Sequence, residues 1–133
     1  MKKFSLILST HIPHRTKINV YELCKNGQSI FNQFFIEIEK DGNLFGNLAG
    51  AIRIVEDTSN LQRRSKSKFR EIKEAKVKCK IYEAKSGLIR VYLIHEEHTG
   101  RIIITGGIKD DQKEDIKSII KIIKDYYHEK QNT

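Results

Sequence analysis

The apolar residues of this chain change their period twice, and that change limits what it can fold into. Ile30, Phe31, Phe34, Phe35 and Ile38 recur at helical spacing, and Leu44, Leu48, Ala51, Ile52 and Val55 repeat the pattern. From residue 77 the period drops to two. Val77, Cys79 and Ile81 alternate with Lys78, Lys80 and Tyr82, and Ile89, Val91 and Leu93 alternate with Arg90 and Tyr92. Ile116, Ile119, Ile120, Ile123 and Tyr127 then return to helical spacing.

Punctuation turns these runs into elements. Gly42 after Lys40-Asp41 marks a stop at the C′ position, so the first two helices form an antiparallel hairpin joined by about two residues. Their phenylalanines face one side, which makes them core rather than a base-stacking platform. Phe4, Leu6 and Leu8 alternate with Ser5, Ile7 and Ser9 as a first strand. His11-Ile-Pro-His14 is loop-like, and Val20 to Leu23 stays open between a short strand and a helix lead-in. Turns at Ala84–Gly87 and Glu96–Gly100 separate strands at Leu88–Ile94 and Arg101–Thr105, giving an antiparallel meander. Asp110 or Asp111 caps the last helix, with Glu114 placed for a capping box. The expected fold is α+β in one domain over residues 1–133: an N-terminal strand and helical hairpin packed on a β-meander, then a long C-terminal helix. With the hairpin on one face of the sheet, alternation leaves Lys78, Lys80, Tyr82, Arg90 and Tyr92 on an open opposite face. A one-residue slip would invert that assignment.

Charge is concentrated in the middle of the chain. Residues 61–90 hold eleven basic against three acidic side chains, which accounts for the whole net charge of +8. A field confined to one segment points to a polyanionic partner, with nucleic acid first. No run approaches the roughly 20 apolar residues needed to cross a bilayer. The apolar stretch after Met1-Lys2-Lys3 ends at Leu8, too short for a signal peptide, so the reading is a cytoplasmic protein without a membrane partner. Cys24 and Cys79 read as buried small hydrophobes.

Three groups of residues offer chemistry. Arg63-Arg64-Ser-Lys66-Ser-Lys68-Phe-Arg70 and the strand cations neutralise phosphates, and Tyr82 and Tyr92 between them offer stacking surfaces for unpaired bases. The pairs His11/His14 and His95/His98 have a spacing used by zinc sites but lack a full ligand set, so they read as surface histidines. Gly106-Gly107 precedes the last helix, yet Asp110 and Asp111 there oppose a bound phosphate. No phosphate-binding P-loop, nucleophile elbow or acidic two-metal cluster is present. A nuclease built on these residues would work without metal or other cofactor. It would need a base for the ribose 2′-hydroxyl and cations for the charge developing on the phosphate.

Lys68-Phe-Arg-Glu-Ile72, Lys80-Ile-Tyr-Glu-Ala-Lys85 followed by Leu88-Ile-Arg-Val-Tyr92, and Arg101-Ile-Ile-Ile-Thr-Gly-Gly-Ile-Lys109 with Gln112-Lys113 together resemble the RelE/ParE toxin superfamily, the RelE and HigB branches above all. The likeness spans roughly residues 28–130 and rests on pattern. It implies the toxin of a toxin–antitoxin system: a ribosome-dependent endoribonuclease that cleaves messenger RNA and is held by a cognate, acidic antitoxin. Carried over by position, Arg90 would stabilise the scissile phosphate, with Lys80 beside it as charge stabiliser or base and Lys109 on the phosphate too. Lys66, Lys68, Arg70 and Lys73 would hold RNA, joined by Lys78, Tyr82, Tyr92 and Lys113. Lys85 stands where the family often has arginine, and no late tyrosine or histidine matches the acid of some members. The alternatives are a non-enzymatic member that inhibits a protein target such as DNA gyrase, or one that only binds nucleic acid.

Overall fold

Local chemistry sets the first elements. Strand β1 (Phe4–Leu8) pairs antiparallel with β2 (Val20–Lys25), which turns back through Asn26-Gly27 into the short β3 (Gln28–Ser29). Both turn residues have positive φ, 54° and 82°, as a two-residue hairpin loop requires. The structure is a computed structural model and describes residues 2–12, 15–73 and 77–132. Ser29 caps α1 (Ile30–Lys40) by accepting from the Asn32 N–H. Asp41 then serves both helices: its N–H bonds the Ile38 carbonyl, and its side chain accepts from the Asn43 N–H of α2 (Gly42–Ser59). Gly42 therefore opens the second helix instead of stopping the first.

Four more strands follow. They are β4 (Phe69–Glu71), β5 (Lys80–Ser86), β6 (Ile89–Glu96) and β7 (Gly100–Ile108), before a 3₁₀ turn at Lys109–Asp111 and α3 (Gln112–Gln131). The sheet order is β1-β2-β7-β6-β5-β4, with β3 beside β2. The antiparallel order of β5, β6 and β7 is as expected, but β5 starts at Lys80 and runs through Ser86. Ala84, Lys85 and Ser86 pair with Val91, Arg90 and Ile89, so the turn expected at Ala84–Gly87 shrinks to Gly87-Leu88. The segment left open is strand β2, and it pairs parallel to β7, so the sheet is mixed. Asp111 is the N-cap of α3 but makes no side-chain cap bond, because the 3₁₀ turn precedes it. The expected capping box is absent, while Glu114 and Asp115 still put acids in the first turn.

Both faces of the sheet are covered. Phe31, Leu48, Ala51 and Val55 of the hairpin pack on Ala84, Ile89, Val91, Leu93 and Ile103. Ile119, Ile123 and Tyr126 of α3 pack on Ile81, Tyr92, Ile94, Ile102 and Ile104. The face expected to be open is thus closed by α3. The cause is register: Ile81 pairs with Ile94 and Tyr82 with Leu93, so the apolar sets of β5 and β6 point to opposite sides. Lys80 and Tyr82 face the hairpin side, and Arg90 and Tyr92 face α3. A bulge opposite Tyr92 and Leu93 bends β7. Gly106 then lies against the Phe34 ring and Gly107 against the Asp115 carboxyl, each too closely for a methyl group. These glycines serve packing and form no phosphate loop.

Candidate functional site

Register gathers part of the basic segment at one end of the sheet. Arg70, Glu83 and Tyr92 form a row across β4, β5 and β6, and Lys85, Arg90 and Gly107 form the next row. Alternation turns both rows toward the first turn of α3. Glu83 is fully buried there, its Oε1 accepting from Arg70 Nε at 3.1 Å and its Oε2 from Gln112 Nε2 at 2.6 Å. Arg90 is 7% exposed. Its Nη1 donates to the carbonyls of Gly87 (2.9 Å) and Ile89 (3.1 Å), which fixes the guanidinium.

Three buried polar atoms in this cluster have no partner: Arg90 Nε, the Tyr92 hydroxyl and Asp115 Oδ2. Interior polar groups are nearly always hydrogen-bonded, so three such atoms together make this cluster a candidate site. Burial, with Glu83 and Asp115 nearby, pushes the Tyr92 hydroxyl far above its ordinary range and keeps it protonated. Burial and then Asp111 raise the Asp115 carboxyl, which makes it a better proton acceptor than an exposed aspartate. Lys109 is exposed just past β7, its N–H on the Leu88 carbonyl (2.8 Å), and Lys113 is exposed one turn on.

The exposed run 61–68 arrives at the same rim, because the Lys68 carbonyl accepts from the Lys85 N–H at 2.7 Å. It carries Lys66 and Lys68. Lys73 is exposed beyond β4.

The remaining expected residues lie elsewhere. Lys80 pairs with His95, whereas Arg90 pairs with Lys85 five residues along, so Lys80 is about 17 Å away on the opposite face. The expectation that Lys80 adjoins Arg90 is corrected accordingly. Lys78 and Tyr82 stay at that far end. Tyr92 is wholly buried, which removes it as a stacking surface. Tyr82 is already stacked on Phe69, with ring centroids 5.1 Å apart. His11 Nε2 lies 2.8 Å from Asn32 Oδ1, and its ring stacks on Phe35, so it closes the edge of the core. His14 lies outside the described residues.

Comparison of the chain with family models, curated proteins and solved structures returns no match. Its own residues must carry the functional reading.

Sequence reasoning missed Glu83 and Asp115 as site residues, and met Lys85 and Gln112 only as members of the family pattern. One signal was available for Glu83: a carboxylate between Ile81 and Lys85 in a segment otherwise crowded with cations. Among the described residues, no three histidine, cysteine or acidic side chains converge to hold a metal ion. Both cysteines are free. No helix among the described residues is long and apolar enough to cross a membrane.

Proposed function

We propose that this protein is a metal-independent endoribonuclease, the toxin of a toxin–antitoxin pair, which cuts messenger RNA at the ribosome with the Arg90 row as its phosphate site. The observation that supports this best is the convergence of Arg70, Lys85, Arg90 and Lys109 around the buried Glu83 carboxylate, the half-buried Asp115 and three unpartnered polar atoms. Such a cluster can hold a phosphodiester and stabilise its extra charge as the ribose 2′-oxygen attacks phosphorus. Asp115 takes the 2′-hydroxyl proton, the bond from phosphorus to the 5′-oxygen breaks, and Lys109 protonates the departing oxygen. The run 61–68 tracks the neighbouring phosphates. An acidic antitoxin would inhibit by neutralising the same rim.

One observation favours a second reading, RNA binding without cleavage. Arg90 is nearly buried, and its Nη1 is already spent on two backbone carbonyls. The deciding experiment is cleavage of a defined messenger with and without translating ribosomes, comparing wild type with Arg90→Ala and checking folding by thermal unfolding. Ribosome-dependent cuts that disappear in a folded mutant support the nuclease. Retained RNA with no cuts supports binding alone, and the absence of both refutes the site.

A further inference from the structure

We infer that the cleft at the far end of the sheet is a second anion site, separate from the Arg90 row, which takes a phosphomonoester: the phosphate of a nucleotide or of an RNA end. Lys80, His95 and Arg101 form a row across β5, β6 and β7 at the margin of a cleft of about 710 Å³. That volume suits a nucleotide-sized ligand.

Arg101 carries the argument. It is 8% exposed, with Nη1 donating to Thr58 Oγ1 (2.7 Å) and Ser59 Oγ (2.9 Å) at the end of α2. Its guanidinium lies over the Phe69 and Tyr82 rings, 5.1 and 5.9 Å from their centroids. Its Nε is buried without a partner, and no carboxylate pairs with it among the described residues. Two hydroxyls, two ring faces and a helix C-terminus supply only partial negative charge. An arginine buried this way bears a desolvation cost that an anion would offset, and burial correspondingly disfavours its charged form.

Two lysines add charge and two imidazoles add donors: Lys78, Lys80, His95 and His98 line the same cleft, and none makes a side-chain hydrogen bond or ion pair among the described residues. Of the two acids at the margin, Glu96 has its Oε2 engaged by the Tyr127 hydroxyl (2.7 Å) and Lys130 (3.3 Å) while its Oε1 is buried without a partner, and Glu97 is exposed. So many donors around one buried guanidinium match the two charges and three terminal oxygens of a phosphomonoester. A diester on a passing strand offers only one charge.

The test is a ¹H–¹⁵N NMR titration of the full chain with adenosine 5′-monophosphate, with adenosine as control. Adenosine monophosphate should saturably shift the amides of His95, Thr99 and Arg101, while adenosine should not. Lys80→Ala with His95→Ala should weaken binding about tenfold or more, since hydrogen bonds to charged groups are lost. Arg101 stays intact in that variant, so the fold is preserved and is verified by the rest of the spectrum. A 5′-phosphorylated trinucleotide that binds more tightly than the mononucleotide identifies an RNA end as the source. Equal binding identifies a free nucleotide. The inference is overturned if adenosine produces the same shifts, if the shifts fall around Arg90, if the double variant binds like wild type, or if nothing saturates.

Discussion

Replacing Ile123 by alanine asks whether α3 closes the second face of the sheet, on which the whole Arg90 site depends. Ile123 is 0% exposed and packs with Ile81, Tyr92, Ile94 and Ile102. Truncation deletes three carbons, at about 0.8 kcal/mol each in transfer free energy, or roughly 2.4 kcal/mol. A residual cavity of about 50 Å³ would add about 1.2 kcal/mol at the usual cost per unit volume. Alanine's higher helix propensity returns about 0.4 kcal/mol. The expected loss is about 3 kcal/mol, inside the range for buried isoleucine truncations. Urea unfolding measures it, with the exposed Lys121→Ala as a control expected to change stability by under about 0.5 kcal/mol. A loss below about 1 kcal/mol at an unchanged m-value would mean that α3 is not seated and the face is open, and the reasoning would fail.

Three further outcomes are expected. Gly106→Ala drives a methyl into the Phe34 ring and should cost about 1–3 kcal/mol, with partial rescue by Phe34→Leu in a double-mutant cycle. Tyr127→Phe removes the 2.7 Å bond to Glu96 and should cost about 1.5–3 kcal/mol at neutral pH. Burial alone would raise the Glu96 carboxyl, but Tyr127, Thr99 and Lys130 outweigh it and hold it below its ordinary 4.5. Its stabilisation is therefore complete above that pH and lost as pH falls through the lower folded value, so melting temperatures of mutant and wild type should converge as the pH is taken well below 4.5. Ser29→Ala uncaps α1 and strips a 2.5 Å bond from the buried Glu22, so urea unfolding should show about 2–3 kcal/mol lost, more than a cap alone is worth.

The parts of the fold legible in the sequence were those with an unbroken period. The two hairpin helices, β6, β7 and α3 lie where alternation or helical spacing puts them, give or take two or three residues, while β5 is shifted later, to Lys80–Ser86, into the expected turn. Strand β2 was not legible, because Val20-Tyr-Glu-Leu carries too short a pattern and its partner, β7, lies some 80 residues further on. Facing was lost between β5 and β6. Each strand alternates cleanly, but nothing local says that Ile81 and Leu93 point opposite ways. That single phase difference moved Lys80 away from Arg90 and buried Tyr92. Glu83 and Asp115 were missed for a related reason: they converge only when α3 returns over the sheet.

The parallel pairing of β2 with β7 also orders the folding of the chain in time. β7 lies between β2 and β6, so the first 29 residues have no seat in the main sheet until residues 100–108 exist. During synthesis the β1–β2 ribbon must wait, with the edge meant for β7 unpaired, while the helices and the meander assemble. Such a long-range closure belongs to the slow end of small-domain folding. The arrival of α3 after β7 completes the second core and the Arg90 cluster together, so the buried carboxyl–guanidinium group around Arg90 is not enclosed until that helix has docked.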